Sequence, residues 1–230
     1  MSEPFDATRN GQGGAQPGSG QQGGSRAEVL QVFATPVAVA HLGFPEAVNR
    51  QLAETILARE SARPSTDHSN LGGWQSSWDL LDWGGPAAAT VIDAGKALAG
   101  KLTCDRQGRA LKLDWKVNAW ANVNRSGHAN EAHSHPGAFW SASYYVDDGG
   151  IGADPSLGGE FELRDPRGVA PAMYAPQLAF AAPGGLSIGA AETIPPKAGM
   201  LLLFPSWLEH GVRPYRGGAA RISVAFNLSL

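Results

Sequence analysis

Between Leu111 and Asn124 the sequence LKLDWKVNAWANVN alternates with a period of two. Leu111, Leu113, Trp115, Val117, Ala119, Ala121 and Val123 take the odd positions, and mostly Lys, Asp and Asn take the even ones. Side chains on a strand point alternately to opposite faces, so this pattern predicts β structure with one apolar and one polar face. Fourteen residues exceed a usual strand, which predicts a bend or bulge within the run. Further strands are expected at AFWSASYYV (138–146), GEFEL (159–163), GMLLLF (199–204) and RISVAFNL (221–228). From residue 111 onward the chain therefore reads as an all-β sandwich or barrel.

The stretch before it reads differently. VLQVFATPVAVAHL, from Val29, predicts one or two short strands. Two helices are expected, from about Pro45 to Ala62 and from about Pro86 to Leu102, each opened by a proline at the favoured first position. Val48, Leu52 and Ile56 give the first an apolar stripe, and Val91, Leu98 and Leu102 give one to the second. GGWQSSWDLLDWGG between them is expected to be an ordered loop, and residues 164–194, rich in Pro, Gly and Ala, a long loop holding a hairpin. Residues 1–26 are mostly Gly, Gln, Ser and Asn without apolar periodicity, the signature of a disordered tail. The expectation is an α+β chain with a single domain over 27–230.

A net charge of -3 offers no basic surface to a nucleic acid or an anionic membrane. No apolar run reaches the length of a membrane span, and MSEPFDATRNGQGG lacks a signal-peptide core. One cysteine, Cys104, allows no intramolecular disulfide, which fits a reducing compartment. A soluble cytoplasmic protein is expected.

The chemistry concentrates in three places. In His133-Ser134-His135, residues two apart share a strand face, so both imidazoles can reach one ion. Two surface histidines beside a Pro-Gly turn would give the same letters. His210 follows the apolar run LLLF through a Pro-Ser turn, which puts it at a barrel mouth. Arg221, Ser223, Ala225 and Asn227 share one face of their strand, and Ile222, Val224, Phe226 and Leu228 the other. An arginine and a serine pointing into a barrel call for a buried anion, because the guanidinium fork matches a carboxylate.

Two metal-motif histidine positions, a distal histidine and then Arg-x-Ser, all among jelly-roll strands, resemble the iron(II)/2-oxoglutarate dioxygenase superfamily. More closely, GGWQS (72–76), HSHPGAFWSASYYV (133–146), GGEFELRDPR (158–167) and LLLFPSWLEHGVRPYRGGAARISVAFN (201–227) resemble a bacterial family of 2-oxoglutarate/iron(II) oxygenases. Gly127, six residues before His133, is similar to the glycine that precedes the metal motif in prolyl hydroxylases. The resemblance implies a double-stranded β-helix (jelly-roll, cupin-like) core with two flanking N-terminal helices. It implies Fe(II) held by His133, His135 and His210, and 2-oxoglutarate as co-substrate with its distal carboxylate on Arg221 and Ser223. Asn122, Asn124 and Tyr145 are candidate cofactor-lining groups, and Trp74, Gln75 and Trp140 candidates to face substrate, with core packing the better reading for the tryptophans. The substrate would be a small molecule or a peptide, selected by loops such as 147–158 and 164–194.

The chain departs from the superfamily at His135, where a carboxylate normally completes the ligand set. A neutral imidazole there leaves the metal site one charge more positive. Glu131 is an alternative third ligand, whereas Glu209 should point away. Three histidines also suit zinc. Two other readings therefore stand beside the oxygenase. One is a three-histidine metalloenzyme without 2-oxoglutarate (a direct dioxygenase, isomerase or zinc hydrolase), and the other a non-catalytic cupin-like binding module.

Overall fold

The computed structural model describes residues 33–168 and 191–230. The expected tail at 1–26 and most of the expected loop at 164–194 lie outside the described residues. In chain order the elements are β1 (Ala38–His41), α1 (Glu46–Ala62), β2 (Asn70–Leu71), β3 (Trp74–Gln75), α2 (Leu80–Trp83), α3 (Gly85–Lys101), β4 (Lys116–Asn124), β5 (Ala129–His133), β6 (Trp140–Asp148), β7 (Phe161–Arg164), β8 (Ala191–Ile194), β9 (Met200–Pro205), β10 (His210–Val212) and β11 (Arg221–Ser229). Among the described residues they form two sheets, β1-β9-β6-β11-β4-β3 and β2-β5-β10-β7-β8, with each adjacent pair antiparallel.

Side-chain alternation gives the larger sheet two uses. Ile222, Val224, Phe226 and Leu228 of β11, with Ala119, Ala121 and Val123 of β4, pack outward against Leu52 and Ile56 of α1 and against α3. The opposite face turns toward the smaller sheet, where Tyr145, Met200, Leu202 and Phe204 meet Phe161 and Leu163. Two sheets packed face to face, with helices covering the outer face of one, make the double-stranded β-helix expected from the sequence. Among the described residues no helix is long and apolar enough to cross a membrane.

Both long helices fall within one residue of their expected bounds. The apolar stripe of α3 matches the expectation at Val91 and Leu98, which join the core, but not at Leu102. Leu102 is 45% exposed, and the buried face is Ala87, Ala88, Val91, Ile92, Gly95 and Ala99. Small residues stand there because the helix lies close on β11: a Cβ on Gly95 would come within 2.3 Å of the Phe226 ring.

Three strand expectations need correction. The run from Leu111 becomes a strand only at Lys116, because β11 pairs with β4 no further than Ser229 opposite Lys116. Residues 111–115 have the alternation but no neighbouring strand to bond. Irregularities fall instead in β6, where Ile222 and Ser223 of β11 face Asp147 and Tyr145 and leave Val146 as an extra residue, and in β5, where His210 and Val212 of β10 face His133 and Asn130. The expected loop 72–85 contains β3, paired with β4, and the short helix α2. Neither element is long enough to show a period.

Candidate metal centre and its cavity

β10 lies between β5 and β7, and its first residue sets the site: His210 is paired in register with His133 of β5. His135 lies two residues beyond the end of β5, outside the strand on which it was expected. It reaches the same place because its backbone N–H donates to the Ser206 carbonyl at 2.9 Å, tying it to the end of β9. The three rings lie 4.5 to 5.1 Å apart, and one ligand nitrogen from each falls within 4.8 Å of the others. Among the described residues no carboxylate joins this group. Glu131 is exposed on the cavity wall, and Glu209 pairs with Arg164 on the surface, as its expected outward orientation requires.

The rings are oriented by backbone carbonyls. His133 Nδ1 lies 2.7 Å from the Glu131 oxygen, and His210 Nδ1 lies 2.8 Å from the Leu208 oxygen. A carbonyl only accepts, so each Nδ1 carries the proton and each Nε2 is left to bind a cation. Burial, with the neighbouring His133 ring as a smaller cause, pushes His210 down to about 3 and His135 down to about 4. Both are neutral near pH 7, the form a metal requires. Phe161 stacks on His210 and Phe204 meets it edge-on, while Trp120 packs against His135 with ring centroids 5.5 Å apart.

The histidines line a cavity of about 380 Å³ whose wall also includes Gln75, Asn122, Arg221, Ser223 and Ala225. Arg221 is 1% exposed, and no carboxylate among the described residues forms an ion pair with it. Burial pushes its guanidinium down from the ordinary value. Its Cζ lies 5.1 Å from the Tyr145 ring centre. Around it, Arg221 Nε, Asn122 Oδ1 and Asn124 Oδ1 are buried without a hydrogen-bond partner among the described residues. β4 pairs Asn124 with Arg221 and Asn122 with Ser223, and β6 pairs Tyr145 with Ser223. Buried polar atoms are normally satisfied, so three orphans in one place mark a site shaped for a polar ligand.

Most of the residues expected at the site are thus adjacent. His133, His135, His210, Arg221, Ser223 and Asn122 line the cavity, while Asn124 and Tyr145 are buried beside it. Trp74 and Trp140 are core residues whose indole N–H groups donate to the Arg63 carbonyl and the Thr103 hydroxyl. Trp120 was missed. Its parity with Asn122 and Asn124 on β4 was the available signal, overlooked because a tryptophan reads as core. His68 and Trp78 at the cavity rim come from a stretch with no periodicity to mark them.

Residues 118–227 match the model of a family described as "Putative 2OG-Fe(II) oxygenase". No curated protein matches the chain. Among solved structures, a Pseudomonas putida prolyl-4-hydroxylase is similar with a TM-score of 0.57 at 18% identity, over 85% of this chain and 92% of that one. A Trichoplax adhaerens prolyl hydroxylase, in complex with a hypoxia inducible factor peptide fragment, gives 0.57 at 13% identity, over 84% and 83%. The Streptomyces hygroscopicus protein HygX, with nickel and 2-oxoglutarate bound, gives 0.52 at 12% identity, over 85% and 83%. At these identities the likeness is one of fold.

Proposed function

We propose that this chain, whose residues 118–227 form a domain of the 2OG-Fe(II) oxygenase family, uses Fe(II) and 2-oxoglutarate to hydroxylate a small molecule or a peptide. His133, His135 and His210 hold the metal in this reading, and Arg221 and Ser223 hold the distal carboxylate of 2-oxoglutarate. Three converging imidazoles, two of them neutral and two with Nδ1 committed to a carbonyl, fit a divalent cation. When bound, iron and 2-oxoglutarate together supply the activation of oxygen and its transfer to a C–H bond.

The chain's own residues do the remaining work. Arg221 receives the co-substrate's carboxylate by a forked, charge-assisted contact, and Ser223, one strand position further in, adds a hydroxyl donor. Asn122 supplies a further polar group on the neighbouring strand. Phe161, Phe204 and Trp120 close around the histidines and keep water from the reacting region.

The observation that carries the reading is Arg221: a buried guanidinium without a carboxylate partner among the described residues, on the wall of the cavity that the three histidines share. A metalloenzyme that does not use 2-oxoglutarate leaves that charge without purpose. Location in the cytoplasm and a single catalytic domain over residues 27–230 belong to the same proposal, supported by the one exposed thiol, Cys104. The test is anaerobic addition of 2-oxoglutarate to the Fe(II) protein. A visible metal-to-ligand charge-transfer band is expected, and its absence at saturating co-substrate refutes the reading.

A further inference from the structure

The cavity is polarised by charge. Apart from the histidines, the charged side chains on its wall among the described residues are Arg221 and Glu131. Arg221 is buried, which puts it at the closed end, whereas Glu131 is exposed, which puts it at the mouth. Glu131 lies where the pairing of β5 with β10 shifts register, between Asn130 and His133, and it belongs to the cavity wall. Glu131 forms no ion pair among the described residues, although acids on the adjoining strands do: Glu162 pairs with Arg213 and Glu209 with Arg164.

The cavity wall also carries an exposed aromatic residue. Trp78 lies on the cavity wall and keeps 52% of its surface exposed. Its ring is held in place. His68 packs against it with ring centroids 4.5 Å apart. The next residue, Asp79, bridges to Ala119 of β4 and accepts hydrogen bonds from Trp83 Nε1 and Arg59. A fixed indole and an unpaired carboxylate at one opening are complementary to an organic cation. The carboxylate supplies the counter-charge, and the indole face an attraction that grows with desolvation.

We infer that the cavity mouth, through Glu131 and Trp78, selects a substrate carrying an ammonium or guanidinium group and presents the carbon next to that group's chain to the metal centre. The inference rests on the oxygenase reading and deepens it. The inner end of the cavity takes the anionic co-substrate, and the outer end the cationic substrate, so neither can take the other's place. The chemistry is shared by a lysyl or arginyl side chain in a peptide and by a free aliphatic amine.

The test uses full-length protein loaded with Zn(II) and saturated with 2-oxoglutarate, so that binding is read without turnover. Calorimetric titrations compare N-acetyl-lysine methylamide, its uncharged isostere N-acetyl-norleucine methylamide, and 1,5-diaminopentane. The lysine derivative is expected to bind about tenfold or more tightly than the norleucine one, as an ion pair and a cation–π contact together allow. Glu131→Gln should abolish that preference while leaving 2-oxoglutarate affinity within about twofold. Trp78→Ala should weaken the lysine derivative about threefold. Diaminopentane bound as tightly as the lysine derivative assigns a free amine as the source, and diaminopentane bound about tenfold more weakly assigns a peptide; both uphold the cation. Binding of the lysine and norleucine derivatives within twofold of each other, no binding of either cation, or a preference that survives Glu131→Gln overturns the inference. The 2-oxoglutarate titration separates the two failures. If the parent binds 2-oxoglutarate without cation preference, only this inference falls; if it does not bind 2-oxoglutarate, the oxygenase reading falls as well.

Discussion

Replacing Arg221 with methionine removes a guanidinium that the ligand-free fold buries without a counter-charge and keeps most of the volume that packs against Tyr145. Two effects of opposite sign should follow. A charge-assisted contact to a buried carboxylate is worth about 1.5–3 kcal/mol, so 2-oxoglutarate should bind the metal-loaded variant about 10- to 150-fold more weakly. Without 2-oxoglutarate the variant should be as stable as the parent or more so. Removing an unpaired buried charge gains about 1–4 kcal/mol, against which stands a lost cation–π contact of about 0.5–2 kcal/mol. Urea unfolding of parent and variant, each with and without 2-oxoglutarate at a hundred times the parent's dissociation constant, reads both effects. The parent should gain about 2.7 kcal/mol from the ligand and the variant about 0.3–1.4 kcal/mol. A variant that keeps the parent's affinity within threefold removes the carboxylate role. A ligand-free variant destabilised by more than about 2 kcal/mol makes the arginine a structural element instead.

Other expectations are independent of Arg221. His210→Ala should lose metal through dialysis, read by elemental analysis, because it removes one of three converging nitrogens and the ring against which Phe161 and Phe204 pack. His135→Asp should retain iron by restoring the superfamily's ligand type, whereas His135→Ala should bind it more weakly; equal iron affinity in His135→Ala and parent, lost instead in Glu131→Ala, would move the third ligand to Glu131. Gly95→Ala should cost about 1–3 kcal/mol in urea unfolding, since its methyl group would sit 2.3 Å from Phe226 in a core with no space to yield. Deleting residues 1–26, which by composition have little apolar surface to bury, should leave the melting temperature within a few degrees of the parent's.

The legible parts of this chain were those whose signal is local and periodic. Helices α1 and α3 declared themselves by apolar spacing and proline, and β6, β7, β9 and β11 by short apolar runs. On β11 the alternation of Arg221, Ser223 and Ala225 with Ile222, Val224 and Phe226 separates cavity face from helix face in the sequence itself. Register was not legible. Residues 111–115 alternate as well as 116–124 do, and only the end of β11 at Ser229 decides where pairing stops. The extra residue at Val146 is likewise a property of two strands and absent from either alone. The same limit explains the rim. His68 and Trp78 lie far from Glu131 in sequence, and nothing but the pairing of β2 with β5 and the packing of Asp79 on β4 brings them to one opening.

The histidine at position 135 has an electrostatic consequence that reaches the co-substrate end of the cavity. With a carboxylate there, a divalent metal and Arg221 would present two net positive charges, matched by the two of 2-oxoglutarate. With neutral His135 they present three, and the bound assembly retains one. The cost of that surplus depends on where it can be screened. His210 and Arg221 are buried, but His135 is only half-buried and the cavity opens past it to an exposed Glu131. A carboxylate on the mouth side thus sits where it can offset part of the charge through partly aqueous surroundings, at a fraction of its strength in the interior. The trade has a direction: a neutral ligand grips the cation less firmly and leaves it drawing an anion more firmly. His135→Asp should therefore raise metal affinity and lower 2-oxoglutarate affinity together. A variant that gains both, or loses both, would show that packing against Trp120 rather than charge governs the position.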